Sequence, residues 1–380
     1  MLNEEQEALR ATVEAFAHDV VAPVAAGHYA DHTFPYEIVR QMGAMGLFGL
    51  PFPPECGGMG GDQLALGLAI EELARVDSSV AITLEAAVCL GAMPIYRYGT
   101  PEQKATWLPR LASGQALAAF GLTEPDSGSD AAGLRTRAVL DEATGEWVIN
   151  GSKAFITNSG TDVTALVTVA AVTGQRDGRP EISTILVPID TPGLKVAPAY
   201  DKVGWCASDT HELSLVDVRV PAANLLGPRG SGLAQFLHAL DEGRVAIAAL
   251  ATGLAQGCVD ESVAYARQRH AFGSAIATFQ AIRFKISDMA ARAHTARLTW
   301  RDAADRLVRG EPFAMQAAIA KLTASETAVA NAREATQIHG GYGFVNETPV
   351  ARFWRDAKIL EIGEGTSEVQ RMIIARELGL

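Results

Sequence analysis

A chain of 380 residues exceeds the size that one hydrophobic core usually fills, so two or three subdomains are expected. With 48% hydrophobic and 20% charged residues it has the make-up of a folded globular protein, neither disordered nor fibrous. A formal net charge of −12 argues against nucleic acid as a partner, because that binding relies on Lys and Arg neutralising phosphates.

The amino-terminal stretch from Met1 to Glu7 is acidic and opens a helix pattern, unlike a signal or transit peptide. Asn3 and Gln6 have capping-box spacing, and Leu9, Val13, Phe16 and Val20 mark one buried stripe before Pro23. Further helices are expected near Pro35 to Met45, Gln63 to Val76, Ser79 to Tyr98 and Glu102 to Ala112. The Gly-rich link from Gly57 to Asp62 lacks a preceding strand and the spacing of a dinucleotide fingerprint, so it reads as a loop. No apolar run reads as long enough to span a bilayer.

Between Ala116 and about Asn224, short β-rich runs alternate with turn signals. Trp147-Val148-Ile149, Asn150-Gly151 and Ala154 to Thr157 predict a hairpin turning at the Asn-Gly pair. Ala165 to Val172, Ile182 to Val187 and Leu213 to Val218 add strands, and the whole reads as a small barrel or sandwich. From Gly232 long Ala-rich helices return, about Gly232 to Arg269, Phe279 to Val308 and Phe313 to His339, with a final pair beginning near Pro349 and Ser367. No heptad persists, so a closely packed bundle is expected rather than a coiled coil. The expected fold is α+β multidomain: an amino-terminal helical domain over residues 1–115, a central β-barrel or sandwich over 116–228 and a carboxy-terminal four-helix bundle over 229–380.

Cys56, Cys89, Cys206 and Cys258 lie far apart without a Cys-x-x-Cys pair, which suggests neither a zinc site nor a disulfide framework. A reducing, cytoplasmic setting is expected. The eight histidines show no ligand spacing, so no metal site is expected, and most read as surface or helix-end residues.

Three segments carry chemistry. Gly121 to Asp130 packs hydroxyls, glycine and carboxylates into one turn-rich loop, able to present N–H groups and hydroxyls to a polar ligand, or simply to cap a connector. Gln337-Ile338-His339-Gly340-Gly341 ends a long helix and leads through Glu347 to Arg352 and Asp356; glycines there also serve as ordinary C-caps, and Gln337 and His339 read equally well as solvated last-turn residues. Gly363-Glu364-Gly365-Thr366-Ser367-Glu368 places a carboxylate between two glycines at a helix start, where Ser367 and Gln370 have capping-box spacing. Such a carboxylate can meet a bound molecule at close range, or merely complement the helix dipole.

Taken together and in this order, these segments resemble the acyl-CoA dehydrogenase family. Gly121 to Gly133 matches the pattern G-[LIVM]-[ST]-E-x-x-[GSAN]-G-[ST]-D-x-x-[GSA], and Gln337 to Asp356 matches Q-x-x-G-G-x-G-[aromatic]…E…R…D. Glu364 stands where members carry their base, and Arg269 to Gly273, followed by Gln280, is similar to the family's R-x-x-F-G turn.

The resemblance implies FAD held between the β-domain and the bundle, an acyl-CoA substrate, a homotetramer, and electron-transfer flavoprotein as the electron acceptor. By carry-over, Phe120, Leu122, Thr123 and Ser129 line the flavin and pyrophosphate region, while Phe155, Ile156 and Thr157 cover the other side of the ring. Arg269, Phe272, Gln280, Gln337, Gly340 and Gly341 hold the adenylate half, partly across a subunit interface, and Thr366 and Glu368 complete the set. Ser129, Asp241, Arg244 and Gly365 are the implied substrate contacts. Glu364 is the implied α-proton base, its N–H and a ribityl hydroxyl forming an oxyanion hole for the thioester oxygen. The product is a trans-2-enoyl-CoA.

One branch of the family carries its base immediately before the arginine matching Arg244; here that residue is Gly243, and Glu242 lies one helical step away. Phe155 replaces a frequent tryptophan, Ala271 lacks a common hydroxyl, and Gly363 replaces a common tyrosine, leaving space suited to short branched acyl groups. Ile82 and Ala86 lie on the helix implied to line the acyl pocket. An acyl-CoA oxidase, which reoxidises its flavin with oxygen, is the nearest alternative, and a non-catalytic CoA-binding scaffold of the same fold is the other. Nitroalkane oxidase-type relatives use aspartate at the base position and flavin monooxygenase-type relatives lack it, so Glu364 speaks against both.

Overall fold

The computed structural model describes residues 2–380. The first helical layer holds α1 (Glu4–Phe16), α2 (Ala22–Asp31), α3 (Tyr36–Ala44), α4 (Gln63–Ala74), α5 (Ser78–Glu85), α6 (Met93–Tyr98) and α7 (Pro101–Ala112). Asn3 and Gln6 form the expected reciprocal capping box. The chain does not stop at Pro23: a π-turn over Ala17–Val21 carries α1 into α2, with the proline in the first turn, where its missing N–H costs little. A second π-segment, Ala86–Ala92, joins α5 to α6.

Ser78–Tyr98 thus forms 21 helical residues whose most apolar 18-residue stretch has mean hydropathy 1.6, long and apolar enough to cross a membrane by length and composition. The expectation that no run reaches that length is corrected. Its most apolar stretch is wholly buried inside the protein, as befits a core helix.

The strands are β1 (Leu117–Gly121), β2 (Arg137–Asp141), β3 (Glu146–Thr157), β4 (Thr164–Arg176), β5 (Arg179–Pro188), β6 (Leu194–Val196), β7 (Thr210–Pro221) and β8 (Leu225–Leu226). They form one eight-stranded sheet in the order β6-β7-β3-β2-β4-β5-β8, with β1 parallel to β4. Its inner face, including Trp147, Ile149, Val167, Val169, Leu213 and Val218, closes one apolar core, so the domain is barrel-like rather than a two-sheet sandwich.

The hairpin expected at Asn150-Gly151 is absent. β3 runs straight through it and pairs with β7 along its length, with register shifts at Ile149/Gly151 and Lys153/Ile156. The Asn150 side chain bridges to Asp217, and a Cβ on Gly151 would meet Thr136 Oγ1 at 2.4 Å, so the dipeptide serves a bulge. The true two-residue turn is Asp177-Gly178, with φ of 52° and 74°, joining β4 to β5.

The second helical layer is α8 (Gly232–Gln268), α9 (Gln280–Val308), α10 (Ala314–His339), α11 (Pro349–Ala357) and α12 (Ser367–Glu377), with a two-stranded hairpin β9 (His270–Ala271) and β10 (Ser274–Ala275) after α8. Small residues set the helix spacing. A Cβ on Gly253 would meet the Glu71 carbonyl at 2.1 Å and one on Gly257 the Arg75 carbonyl at 2.2 Å, so α4 lies almost directly on α8. The π-segment in turn presses on β1, where Gly91 leaves room for the Ala118 carbonyl. α5, α8, α10 and the loop before α12 therefore converge beside the sheet.

Candidate active site

Glu364 sits at that convergence. It has φ 53°, a left-handed conformation that costs a non-glycine residue energy, and Gly365 follows at φ 92°. Gly363 is the less constrained glycine, since a Cβ there would meet nothing nearer than the Ile359 carbonyl at 3.5 Å. The strained loop is held by its carbonyls. Arg244 Nε donates to the Glu364 oxygen at 3.4 Å and Gln370 Nε2 to the same oxygen at 3.3 Å. Lys321 Nζ and Gln370 Nε2 each donate to the Gly365 oxygen at 2.8 Å. The helix cap is Thr366, whose hydroxyl accepts from the Val369 N–H, so the expected Ser367–Gln370 box is replaced: Ser367 lies inside the first turn and Gln370 reaches back to the loop.

With the backbone secured, the Glu364 carboxylate is left free. Both oxygens are buried without a hydrogen-bond donor. Burial pushes its pKa up to about 7, against the pull of the Glu85 carboxyl, Lys321 and Arg244. Lys321, fully buried, is itself pushed down to about 8 by burial. Gly243 of α8 faces Glu364, and a Cβ there would meet Oε2 at 2.3 Å. Glu242 turns away to Arg97 at 2.5 Å and His238 at 2.9 Å. The other two substrate candidates on α8 pair with each other, Arg244 to Asp241, beside the Glu364 loop.

The Gly121–Asp130 loop is organised by Glu124. Burial pushes its carboxyl up, yet Lys153 at 2.7 Å and the N–H groups of Arg135 and Thr136 hold it below the usual range. Lys153 also donates to the Leu122 carbonyl, and Ala154 N–H to that of Thr123, tying the loop to β3. Leu122 is buried, Phe120 packs on Phe236 with ring centroids 4.4 Å apart, Thr123 is half-buried and Ser129 is exposed. Ile156 faces the sheet core, so only its backbone is available to a ligand, because side chains alternate along β3; Thr157 is half-buried.

Two aromatic residues hold positive φ and present their rings outward: Phe155 (φ 60°, 65% exposed, stacked on Tyr200) and Phe272 (φ 50°, 98% exposed). Phe272 lies in the tight turn between β9 and β10, near exposed Arg269 and Gln280. Gln337 is exposed at the end of α10. His339, in contrast, is buried and stacked on Tyr265 at 4.2 Å, correcting its reading as a solvated last-turn residue. Tyr265, Arg269, His339, Gly340, Gly341 and Tyr342 line a cavity of about 440 Å³, and the two glycines face open space. An apolar-walled cavity with an arginine and bare backbone at its rim fits a planar nucleotide base and its phosphates. Thr366 and Glu368 lie apart from it at the α12 start.

Arg352 and Asp356 belong to no site. Asp356 accepts from Ser78 Oγ and the Trp205 N–H, both at 2.7 Å, and Arg352 donates to the Val76 carbonyl. Three residues near Glu364 escaped sequence reasoning. Glu85, Lys321 and, in its loop-anchoring role, Gln370 reach it from other helices; a lone carboxylate within the apolar Ser78–Tyr98 helix is the signal that marks Glu85.

A barrel-like domain between two helical layers, with a buried carboxylate at their convergence and a nucleotide-sized cavity, defines an α+β protein of the three-domain, nucleotide-cofactor type. Its segments match the acyl-CoA dehydrogenase N-terminal domain over residues 3–115, the middle domain over 119–218 and the C-terminal domain over 230–379. The chain belongs to the acyl-CoA dehydrogenase family, whose members bind FAD. It is 50% identical over 380 residues to a probable acyl-CoA dehydrogenase, YngJ, of Bacillus subtilis, covering 99% of this chain and 98% of that one. It is similar in structure to butyryl-CoA dehydrogenase from Megasphaera elsdenii, with a TM-score of 0.96, 40% identity, and coverage of 100% and 99%. A chain solved in work on the electron transferring flavoprotein of Acidaminococcus fermentans and flavin-based electron bifurcation has a TM-score of 0.96 at 39% identity, covering 100% and 98%.

Proposed function

We propose that this enzyme dehydrogenates a short or branched acyl-CoA thioester to its trans-2-enoyl-CoA, with Glu364 as the base that removes the α-proton. The observation that carries this is a buried carboxylate that receives no hydrogen bond from Arg244, Lys321 or Gln370, whose donors are spent on the carbonyls of its own loop. A base near pH 7 matches its working range, and a carboxylate relieved of other hydrogen bonds can approach a weakly acidic carbon.

FAD, when bound, supplies the acceptor for the hydride leaving the β-carbon. Thr123, Ser129, Phe155, Thr157 and the backbone of Phe120, Leu122 and Ile156 are the residues for its flavin and pyrophosphate portion. Arg269, Phe272, Gln280, Gln337, Gly340 and Gly341 suit the adenylate, with Thr366 and Glu368 at the α12 start. The Glu364 N–H has no acceptor among the described residues and is available to the thioester oxygen, where enolate charge develops. Ser129 and the Asp241–Arg244 pair are assigned to the CoA portion, and Gly365 to backbone contact with the substrate.

Similarity to a butyryl-CoA dehydrogenase supports a short acyl chain, and the open space at Gly363 supports branching near the reacting carbons. Electron-transfer flavoprotein is the proposed acceptor, supported by the relative from the Acidaminococcus fermentans work. A homotetramer would give the exposed Phe272 and Phe344 a partner, and four free thiols suit the cytoplasm. Anaerobic flavin bleaching with short, branched and medium acyl-CoAs, on wild type and Glu364→Gln, tests the reading. Bleaching by short or branched substrates, lost in the variant, is expected; bleaching that survives the substitution refutes the base, and oxygen consumption without an added acceptor points to an oxidase.

A further inference from the structure

Glu85 is the last residue of α5 and is fully buried. Neither of its carboxyl oxygens has a hydrogen-bond donor from the described residues, and the same is true of both oxygens of Glu364. A Cβ on Gly243 would meet both Glu364 Oε2, at 2.3 Å, and Leu90 Cδ2 of the π-segment that follows Glu85, at 3.3 Å, so that segment lies against the Glu364 carboxyl, and each carboxyl acts on the titration of the other. The helix changes to its π-segment at the very next residue, Ala86, a local widening often found at functional positions.

We propose that Glu85 is a positioning residue for the reaction, neutral in the resting enzyme and donating its carboxyl proton in a hydrogen bond to the Glu364 carboxylate. This rests on the reading of Glu364 as the base. Two carboxylates this close in a dry site cannot both be ionised, so the pair holds one proton. The surroundings decide which member keeps it. Glu364 is faced by two cations, Lys321 from α10 and Arg244 from α8, which favour its charge. Glu85 has no facing cation: full burial and the Glu364 charge favour its neutral form, and the neutral thiol of Cys89 in the π-segment works the other way without reversing that direction. The remaining nearby charges are engaged or distant: Asp241 pairs with Arg244, Glu242 with Arg97 and His238, and Glu361 and Glu368 act on Lys321.

The arrangement does two things for the base. A hydrogen bond from neutral Glu85 fixes the orientation of a carboxylate that otherwise has no partner. It also offsets part of the burial penalty, keeping Glu364 ionisable near neutral pH instead of far above it.

The test compares the second-order rate constant of anaerobic flavin bleaching by butyryl-CoA for wild type, Glu85→Gln, Glu85→Ala and Glu364→Gln across about pH 5 to 9, where it reports free-enzyme groups. Glu85→Gln keeps a neutral donor and should leave the acid limb within a few tenths of a unit. Glu85→Ala removes the donor and should move that limb up by about one unit, a roughly tenfold slower reaction at its acid end. Infrared spectra of the protein without substrate give a readout independent of turnover. Above about pH 8, where Glu364 and Asp356 are ionised, a buried protonated carboxyl band should persist in wild type and Glu364→Gln and vanish in Glu85→Gln. If Glu364→Gln still bleaches, the base reading has failed and this inference falls with it. If that variant is inactive while Glu85→Ala keeps the wild-type limb, or the band survives in Glu85→Gln, the inference alone is overturned.

Discussion

Gly243 and Glu364 occupy the same volume in turn: the space that any side chain at residue 243 would fill holds Oε2 of Glu364, 2.3 Å from the position of such a Cβ. Leu90 Cδ2, at 3.3 Å, closes the other side. This gives a steric reason for the glycine. The two positions at which the family resemblance implies a base face one another here, and the Glu364 carboxylate requires residue 243 to be bare.

Gly243→Ala is therefore expected to damage chemistry without damaging the fold. Residue 243 lies inside α8, where alanine is favoured over glycine by about 1 kcal/mol. The new methyl displaces the Glu364 carboxylate by up to an ångström or so, which costs on the order of a hundredfold in rate. The check is anaerobic bleaching by butyryl-CoA alongside flavin content and Tm. A variant with full flavin, unreduced Tm and wild-type rate contradicts the packing argument.

Stability should carry the mark of the buried Glu364 carboxyl. The Glu364 pKa rises from an ordinary 4.5 unfolded to about 7 folded, burial being the main cause. Below the unfolded value both states hold the proton and nothing is lost. Between the two values the unfolded chain releases a proton that the folded protein keeps, so stability falls as pH rises, by on the order of 3 kcal/mol in all. Glu364→Gln does not titrate. Its Tm relative to wild type should climb from about pH 5 to about pH 8, and a pH-independent difference would show that the carboxyl is not strained by burial.

The long bundle helices were legible because each is an unbroken Ala-rich run ended by a glycine or an extended connector, and α8, α9 and α10 begin and end within one or two residues of expectation. Glu364 was legible because its flanking glycines are local. The Asn150-Gly151 pair misled for the opposite reason: its turn preference is local, whereas the strand around it is fixed by partners on β7 about 65 residues away. Glu85 is the single charged residue of α5 and Lys321 one of several on α10, 279 and 43 residues from Glu364, and only the packing of α5 and α10 brings them to it. Arg352 and Asp356 were legible as parts of a pattern but not as structural groups, since their partners lie on other layers.

The buried pair Lys153–Glu124 yields a prediction for the cofactor. Lys153→Met fits the space but leaves Glu124 without its cation and the Leu122 carbonyl without a donor. Breaking one side of a buried pair costs about 3–5 kcal/mol, and the loop carrying Thr123 and Ser129 loosens. Purified Lys153→Met should contain less flavin than wild type and recover it in excess FAD, with the double variant Lys153→Met/Glu124→Gln more stable than Lys153→Met alone. A single variant with full flavin and unchanged Tm removes the loop from the cofactor argument.

Asp356 provides the contrasting case, a patterned residue whose work is assembly. Its two oxygens join the start of α5, through Ser78, to the Trp205 N–H that follows the sheet's β6, while its own helix α11 packs on α8. Arg352, one turn earlier, stands 3.4 Å from Asp77, the cap of α5. Burial pushes the Asp356 carboxyl up to about 6, so near neutral pH it is largely an anion whose stabilisation comes from these donors. Asp356→Ala removes an acceptor from two buried donors at once, each costing about 1–3 kcal/mol when left unpaired. Tm should fall by several degrees, whereas the acid limb of flavin bleaching stays with Glu364 and does not move. A shifted limb with intact Tm would instead place Asp356 in the chemistry, against its position on α11, bonded to the end of α5 opposite Glu85.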